Sequence, residues 1–216
     1  METKDTYNIV AKGWNNFRQK PMFPEWFDML VKRWKGGVLL DIGCGNGRNM
    51  APFKGFQLTG IDYSKEMIEN AKKFADRKSI KAKFHIADVR KLPFKDSSID
   101  NALGIAVYHH LNPEELKDAL KELHRVLRPD GEAFITVWNR HQWKFLFKPS
   151  DQNIPWKRRK DDKTYYRYYH LYTRNELRKI IQSAGFSVIM EGSESSFRKK
   201  FFSRNICFLV GKRWNN

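Results

Sequence analysis

The sequence is short of cysteine, of long apolar runs and of acid. Cys44 and Cys207 are its only two cysteines. They are too few and too far apart for a disulfide framework or a paired zinc motif, which predicts a reducing, cytoplasmic setting. No apolar run approaches the ~20 residues of a membrane span, so no membrane partner is expected. The opening METKDTYNIV lacks the basic-then-apolar pattern of a secretory signal. There are no internal repeats and no low-complexity tracts. Acids number 24 against 41 Lys and Arg, a net charge of +17 with a pI near 9.9. Such an excess favours a polyanionic partner, nucleic acid before membrane. The plainer explanation is a lysine-rich solubilising surface.

What is present is an alternation of strands and helices. A length of 216 residues suits one α/β domain with appendages. In 1–36, Phe17, Phe23, Trp26, Phe27, Leu30 and Trp34 recur at roughly helical spacing. Strands are expected over 37–42, 57–62, 82–87, 99–106 and 132–138. A helix over 64–75 is capped by Ser64 and buries Met67, Ile68, Ala71 and Phe74. Another over 113–127 carries Leu116, Leu120, Leu123 and Leu127 on one face. Arg128-Pro129-Asp130-Gly131 reads as a type I turn. Residues 139–172 break the rhythm and read as irregular. Thr173-x-x-Glu176 is a capping box that opens a helix ending at Gly185. Strands near 186–191 and 205–211 close the chain. The expected fold is a doubly wound, Rossmann-like sheet of about seven strands, the last antiparallel, with helices on both faces. The expected organisation is a single domain over 1–216, with a helical segment 1–36 and a basic, aromatic insertion 139–172.

The first strand runs into Asp41-Ile42-Gly43-Cys44-Gly45-Asn46-Gly47, and the second ends at Asp62. Glycines at alternate positions let the backbone turn tightly and approach a ligand. The acid ending the next strand accepts from ribose hydroxyls. Dinucleotide enzymes use G-x-G-x-x-G, which seats a pyrophosphate. Here the spacing is G-x-G-x-G, and Asp41 would repel a pyrophosphate but suits an ammonium group. A nucleoside carrying an amino acid and no phosphate fits, and that describes S-adenosylmethionine. The motif resembles the first motif of class I S-adenosylmethionine-dependent methyltransferases.

In open α/β sheets ligands sit at the carboxyl ends of the strands. The candidate cofactor residues are therefore Asp41, Gly43, Gly45, Gly47, Asp62, Tyr63, Asp88, Val89 and Ala106, with Tyr7 covering the cofactor. Asp88 would accept from the adenine amino group, or else serve as a turn residue. Tyr108-His109-His110 end the fourth strand and face the transferable methyl. Adjacent histidines point in different directions, and His85, His124 and His141 add no ligand spacing, so no metal site is expected.

Several segments narrow the family. Tyr7-Asn8-Ile9-Val10-Ala11, Phe17-Arg18 and Pro21 resemble the entry segment of tRNA wobble-uridine carboxymethyl methyltransferases, a group that includes the methyltransferase domains of AlkB-homologue wobble enzymes. Gly104-Ile105-Ala106-Val107-Tyr108-His109-His110-Leu111 is similar to their fourth-strand motif. Arg125-Val126-Leu127-Arg128-Pro129 is shared more widely among class I methyltransferases. Ile154-Pro155-Trp156 and Arg167-Tyr168-Tyr169-His170-Leu171-Tyr172 with Glu176-Leu177 resemble the late motifs. Met22-Phe23-Pro24 departs from the usual Pro-Trp-Pro. The resemblance implies methylation of a carboxymethyl group on the wobble uridine, position 34 of the anticodon loop, to its methyl ester. It implies a small zinc-binding activator protein as partner in a heterodimer. It also assigns Arg18 and a histidine of the pair His109 and His110 to the substrate side as catalytic residues.

The chemistry can be argued independently. A carboxylate is ionised at neutral pH and needs no general base, only desolvation and alignment. Arg18 would position one carboxylate face. Segment 139–172 holds nine aromatics and nine basic residues against three acids. Lys157-Arg158-Arg159-Lys160, Arg167, Tyr168 and Tyr169 are its candidate RNA-binding residues, since aromatics stack on splayed bases while Lys and Arg track phosphates. Arg198-Lys199-Lys200 would extend that track. Strand 82–87 is expected at a sheet edge, where a partner can add a strand. The competing readings are a small-molecule methyltransferase and a degenerate nucleic-acid scaffold.

Overall fold

The computed structural model describes residues 3–14, 19–157, 163–194, 197 and 201–212. Two helices come first, α1 (Thr3–Trp14) and α2 (Pro24–Arg33). Pro24 stands at the start of α2, where its missing N–H costs nothing. The face of α2 that carries Trp26, Phe27 and Leu30 is fully covered, together with Phe23 and Trp34. Phe17 lies outside the described residues. Phe23, from the atypical Met22-Phe23-Pro24, packs edge-on against Phe134, their ring centres 6.1 Å apart.

The strands are β1 (Val38–Ile42), β2 (Gln57–Asp62), β3 (Ala82–Ile86), β4 (Ile99–Ile105), β5 (Leu127–Trp138), β6 (Asp151–Lys157), β7 (Thr164–His170), β8 (Phe186–Ser193) and β9 (Asn205–Lys212). Seven form one sheet in the order β3-β2-β1-β4-β5-β9-β8. All neighbours are parallel up to β5, and β9 runs antiparallel between β5 and β8. The last strand is therefore antiparallel, as the sequence predicts, and β3 is a free edge. Chain order reverses between β1 and β4, which places the ligand crevice at the carboxyl ends of those strands.

Besides α2, three helices cover the sheet: α3 (Lys65–Arg77), α4 (Pro113–Val126) and α5 (Arg174–Ser183). Ser64 caps α3 through Met67 N, and Thr173 with Glu176 forms the expected capping box on α5. A second capping box, Asn112 with Glu115, opens α4. Leu116, Leu120 and Leu123 of α4 join β1, β4, β5 and α5 in one buried cluster. Each such side chain contributes roughly 1.5–3 kcal/mol on burial.

Two expectations need correction. Arg128–Gly131 is not a turn ahead of a strand. Strand β5 already begins at Leu127, which pairs with Ile99, and the next pairing is Asn101 with Glu132. The intervening residues bulge out, with Asp130 at φ 63°. Segment 139–172 is not irregular, because β6 and β7 make an antiparallel hairpin in register from Asp151–His170 to Lys157–Thr164. Alternating aromatic and polar residues with Pro155 hid its period from the sequence reading. The hairpin is tied down by His170, whose Nδ1 lies 2.8 Å from Asp151 and whose Nε2 lies 3.2 Å from Glu176. Tyr172 adds a bond from its hydroxyl to the Leu111 carbonyl (2.7 Å).

Candidate active site

A cleft of about 1670 Å³ opens over the carboxyl ends of β1, β2 and β4. It exceeds the ~300–1,000 Å³ of an ordinary small-molecule pocket. One wall comes from β1, β2 and the loops after them. The other comes from the turn after β4, the end of β5 and the β6–β7 hairpin.

The first wall is built by glycines. Gly43, Gly45 and Gly47 have φ values of 63°, 55° and 76°, a region that L side chains avoid. A Cβ on Gly43 would also lie 2.5 Å from Val107 Cγ2. Gly43 and Gly45 line the cleft, whereas Gly47 turns the backbone into the short helix 48–50 beneath it. Asp62 Oδ2 accepts from Gly45 N and its Oδ1 from Ser64 N, both at 2.9 Å. Burial pushes Asp62 up to about 6 against the opposing pull of those N–H groups. Its carboxylate thus holds the glycine loop closed and keeps further lone pairs toward the cleft.

Asp41 lies just behind this lining, 1% exposed, and neither carboxylate oxygen has a hydrogen-bond partner. Burial, with the nearby Asp62 charge, pushes it up to about 8, while Arg48 acts the other way. A buried carboxylate without partners is costly. It is the orphaned acceptor that a bound ammonium group would satisfy, so the donor set fits the amino acid end of S-adenosylmethionine.

Tyr63, Asp88, Val89 and Ala106 all line the cleft. Asp88 is also a turn residue. Its oxygens take the Arg90 backbone N–H and guanidinium, which hold it below the usual carboxylate range, and Arg90 reaches on to Glu115. Ala106 is held at φ 55°, strained for a residue with a Cβ, with its N–H on Thr136.

On the second wall, Tyr108 departs from expectation. It is fully buried and folds back over Gly104, whose missing Cβ leaves it room, so it faces the core. His109 and His110 face the cleft, their ring centres 4.7 Å apart. His109 is stacked on Tyr169 at 4.5 Å, and burial pushes its pKa well down. His110 Nδ1 lies 2.9 Å from the Tyr168 carbonyl, which can only accept. The proton is therefore on Nδ1, and Nε2 accepts from the Tyr7 hydroxyl at 2.9 Å. Burial, with Arg167 nearby, lowers His110 to about 4. Both rings are thus neutral at physiological pH.

Helix α1 roofs the cleft. Thr6 donates to the Tyr166 carbonyl of the hairpin (3.0 Å), and Ser64 donates to Asn8 (2.7 Å). This carries Tyr7 to the cleft lining. Arg167, Tyr168 and Tyr169 also reach the cleft lining. Lys157 is exposed at the end of β6. Arg18, Arg158, Arg159, Lys160 and Arg198-Lys199-Lys200 lie outside the described residues.

The cleft rim joins Trp143 and Lys144 of the basic, aromatic segment to Trp138, Phe202 and Arg204, which the sequence does not single out. Trp143 and Phe202 stack at 4.3 Å yet stay 71% and 46% exposed, and Phe147 is wholly exposed. Trp138 ends β5 and was accessible to the strand-end rule. The pairing of Trp143 with Phe202 across 58 intervening positions carries no local signal. Among the described residues no helix is long and apolar enough to cross a membrane, and no group of three metal-ligating side chains occurs.

A family model described as a methyltransferase domain matches residues 40–135. A protein of Encephalitozoon cuniculi named as a methyltransferase is 32% identical over 166 residues, 73% of each chain. The tRNA (carboxymethyluridine(34)-5-O)-methyltransferase of Schizosaccharomyces pombe is 27% identical over 86% of this chain and 89% of its own. The Xenopus tropicalis enzyme of that name, alkbh8, is 33% identical over 61% of this chain, a match to only 20% of its length. Among solved structures, an S-adenosylmethionine-dependent methyltransferase from Clostridium acetobutylicum superposes with a TM-score of 0.74 at 14% identity, over 97% of this chain and 98% of its own. The methyltransferase solved with the Trm112 activator of Haloferax volcanii gives 0.65 at 19%, over 98% and 96%. With an acid, three left-handed glycines and a second acid at the strand ends of this sheet, this chain belongs to the methyltransferase family and carries its class I, S-adenosylmethionine-dependent fold.

Proposed function

We propose that this methyltransferase acts on tRNA and methyl-esterifies the carboxymethyl group at carbon 5 of the wobble uridine, in the cytoplasm. We read it as one domain over 1–216, with 1–36 as an N-terminal helical segment and 139–172 as the substrate-side insertion. The observation that carries this reading is the shape of the cleft. One wall suits the cofactor, and the other opens onto a rim of exposed aromatics and cations in a chain of charge +17.

S-adenosylmethionine supplies an electrophilic methyl group. Asp41 and the glycine turn hold the amino acid end, Asp62 the ribose, and Asp88 with Val89 the adenine. Tyr7 covers the site, fixed by its bond to His110. The substrate carboxylate is already ionised, so the protein's task is to strip its water and hold one oxygen in line. His109 and His110 serve this as neutral walls, with both nitrogens of His110 already engaged. Arg18 remains the substrate-side cation that the family resemblance implies. We place the zinc-binding activator on the edge strand β3, where Ile86 is 55% exposed in a strand that also carries Lys83.

If the rim binds an anticodon loop, bases stack on Trp143 and Phe202 while Lys144 and Arg204 meet phosphates. Replacing both Trp143 and Phe202 by Ala is expected to weaken tRNA binding roughly 10- to 100-fold. Affinity for the cofactor should stay unchanged, and wild-type tRNA affinity should fall steeply with salt. Filter binding checks both. Salt-insensitive binding and an unaltered double variant would favour a small-molecule substrate instead.

A further inference from the structure

Arg167 is 6% exposed, yet it faces the cleft. Its guanidinium carbon lies 5.3 Å from the ring centres of both Trp156 and Tyr169, so the rings fix its plane. Its Nε has no hydrogen-bond partner, and no carboxylate among the described residues pairs with it. The acids that line the cleft, and those of the hairpin's own ion pairs, are engaged. Asp62 holds backbone N–H groups, Asp88 and Glu115 hold Arg90, and Asp151 and Glu176 hold His170. A buried arginine is ordinarily paired, because an uncompensated internal charge is strongly destabilising. His109 and His110 beside it are neutral. Among the described residues no acid answers its charge, which leaves that role to a ligand.

The ligand offers two kinds of anion here, a carboxylate on the base and a backbone phosphate. The aromatic packing around Arg167 and its depth favour the group that enters the cleft. The cofactor's own carboxylate belongs at the other wall, near the glycine turn, where Arg48 already sits. We propose that Arg167 is the specificity-determining residue that grips the carboxylate of the substrate base, its planar fork meeting one carboxylate edge and leaving an oxygen toward the methyl donor. This deepens the proposed function and rests on it. It also revises the role expected from the sequence, since Arg167 is a clamp within the cleft and not part of a surface phosphate track.

The test uses the full-length protein, with a zinc-binding activator present, and two anticodon stem-loops. One carries 5-carboxymethyluridine, the other the neutral, near-isosteric 5-carbamoylmethyluridine. Wild type is expected to bind the carboxymethyl loop roughly 10- to 100-fold more tightly, as a charge-assisted fork would give. Arg167→Gln should bring that ratio to about one, with affinity for the carbamoylmethyl loop and for S-adenosylhomocysteine unchanged. Arg167→Lys keeps the charge and loses the fork, so it should retain part of the ratio. It also serves where the Gln variant does not fold. An unchanged ratio in the variants overturns the proposal. So does an equal loss for both loops, which marks a phosphate contact, or a loss confined to S-adenosylhomocysteine. Methyl transfer from wild type to the carboxymethyl loop tests the underlying function separately.

Discussion

Asp41→Asn should make the protein more stable and nearly unable to bind its cofactor. Asp41 is buried without a partner, and its carboxyl is held up near 8, against an ordinary value near 3.8. The sign follows from linkage. A folded-state pKa above the unfolded one stabilises at low pH, and that contribution is lost as pH rises toward the folded value. Wild type should therefore lose ground to the Asn variant from about pH 4 to about pH 8, and the gap should then level off. Relief of roughly 1–3 kcal/mol corresponds to a Tm gain of about 2–10 °C for a chain of this size. Cofactor affinity should fall by roughly 30-fold or more, because the ammonium loses its counter-charge. Calorimetry gives a second readout. At pH 7 wild type should release up to about one proton on binding, as Asp41 ionises against the ammonium, and the variant should release none from this site. A variant that is less stable at pH 8, or binds as tightly as wild type, would remove Asp41 from the cofactor site.

Gly43→Ala should damage both the fold and the site. The new methyl would meet Val107 in a backbone held at φ 63°. Left-handed strain costs about 1–2 kcal/mol and overpacking about 1–3 kcal/mol. Together they predict a Tm lower by roughly 5–15 °C. Val107 precedes the 108–110 turn, so its displacement would shift His109 and His110 as well, and methyl transfer should fall further than cofactor affinity does. Gly55→Ala is the control, since nothing lies within 4 Å of the Cβ it would add and its φ lies outside the strained range. Thermal denaturation of both variants reads the difference. Equal behaviour would mean that the first glycine of the motif is not required by its geometry.

The glycine turn and the acids beside the cleft were legible because their pattern is local. Glycines, acids and strand ends fall within short windows, and each sits at a strand terminus that hydrophobic runs make visible. The expectation that β3 forms an edge followed from the fold alone and holds. The opposite wall was less legible because it is assembled from afar. Helix α1 brings Tyr7 to His110 across 103 positions, and Trp143 meets Phe202 only where β5 pairs with β9. The hairpin itself was missed because its aromatic residues mask the two-residue period. Tyr108 was misplaced for a related reason. The fourth strand passes into a 3-10 turn, so the alternation of side chains no longer holds there. Burial separates the insertion's aromatics as pattern could not, with Phe145, Tyr169 and Tyr172 in the core and Trp143, Phe147 and Tyr166 outside.

The central claim is the reaction itself. The direct measurement mixes the protein, with and without a zinc-binding activator, with methyl-labelled S-adenosylmethionine and tRNA bearing 5-carboxymethyluridine at the wobble position, followed by digestion to nucleosides. The account predicts label in a base-labile methyl ester on that uridine, with the yield raised by the activator. Cofactor binding without any label on the wobble uridine, activator included, would contradict it.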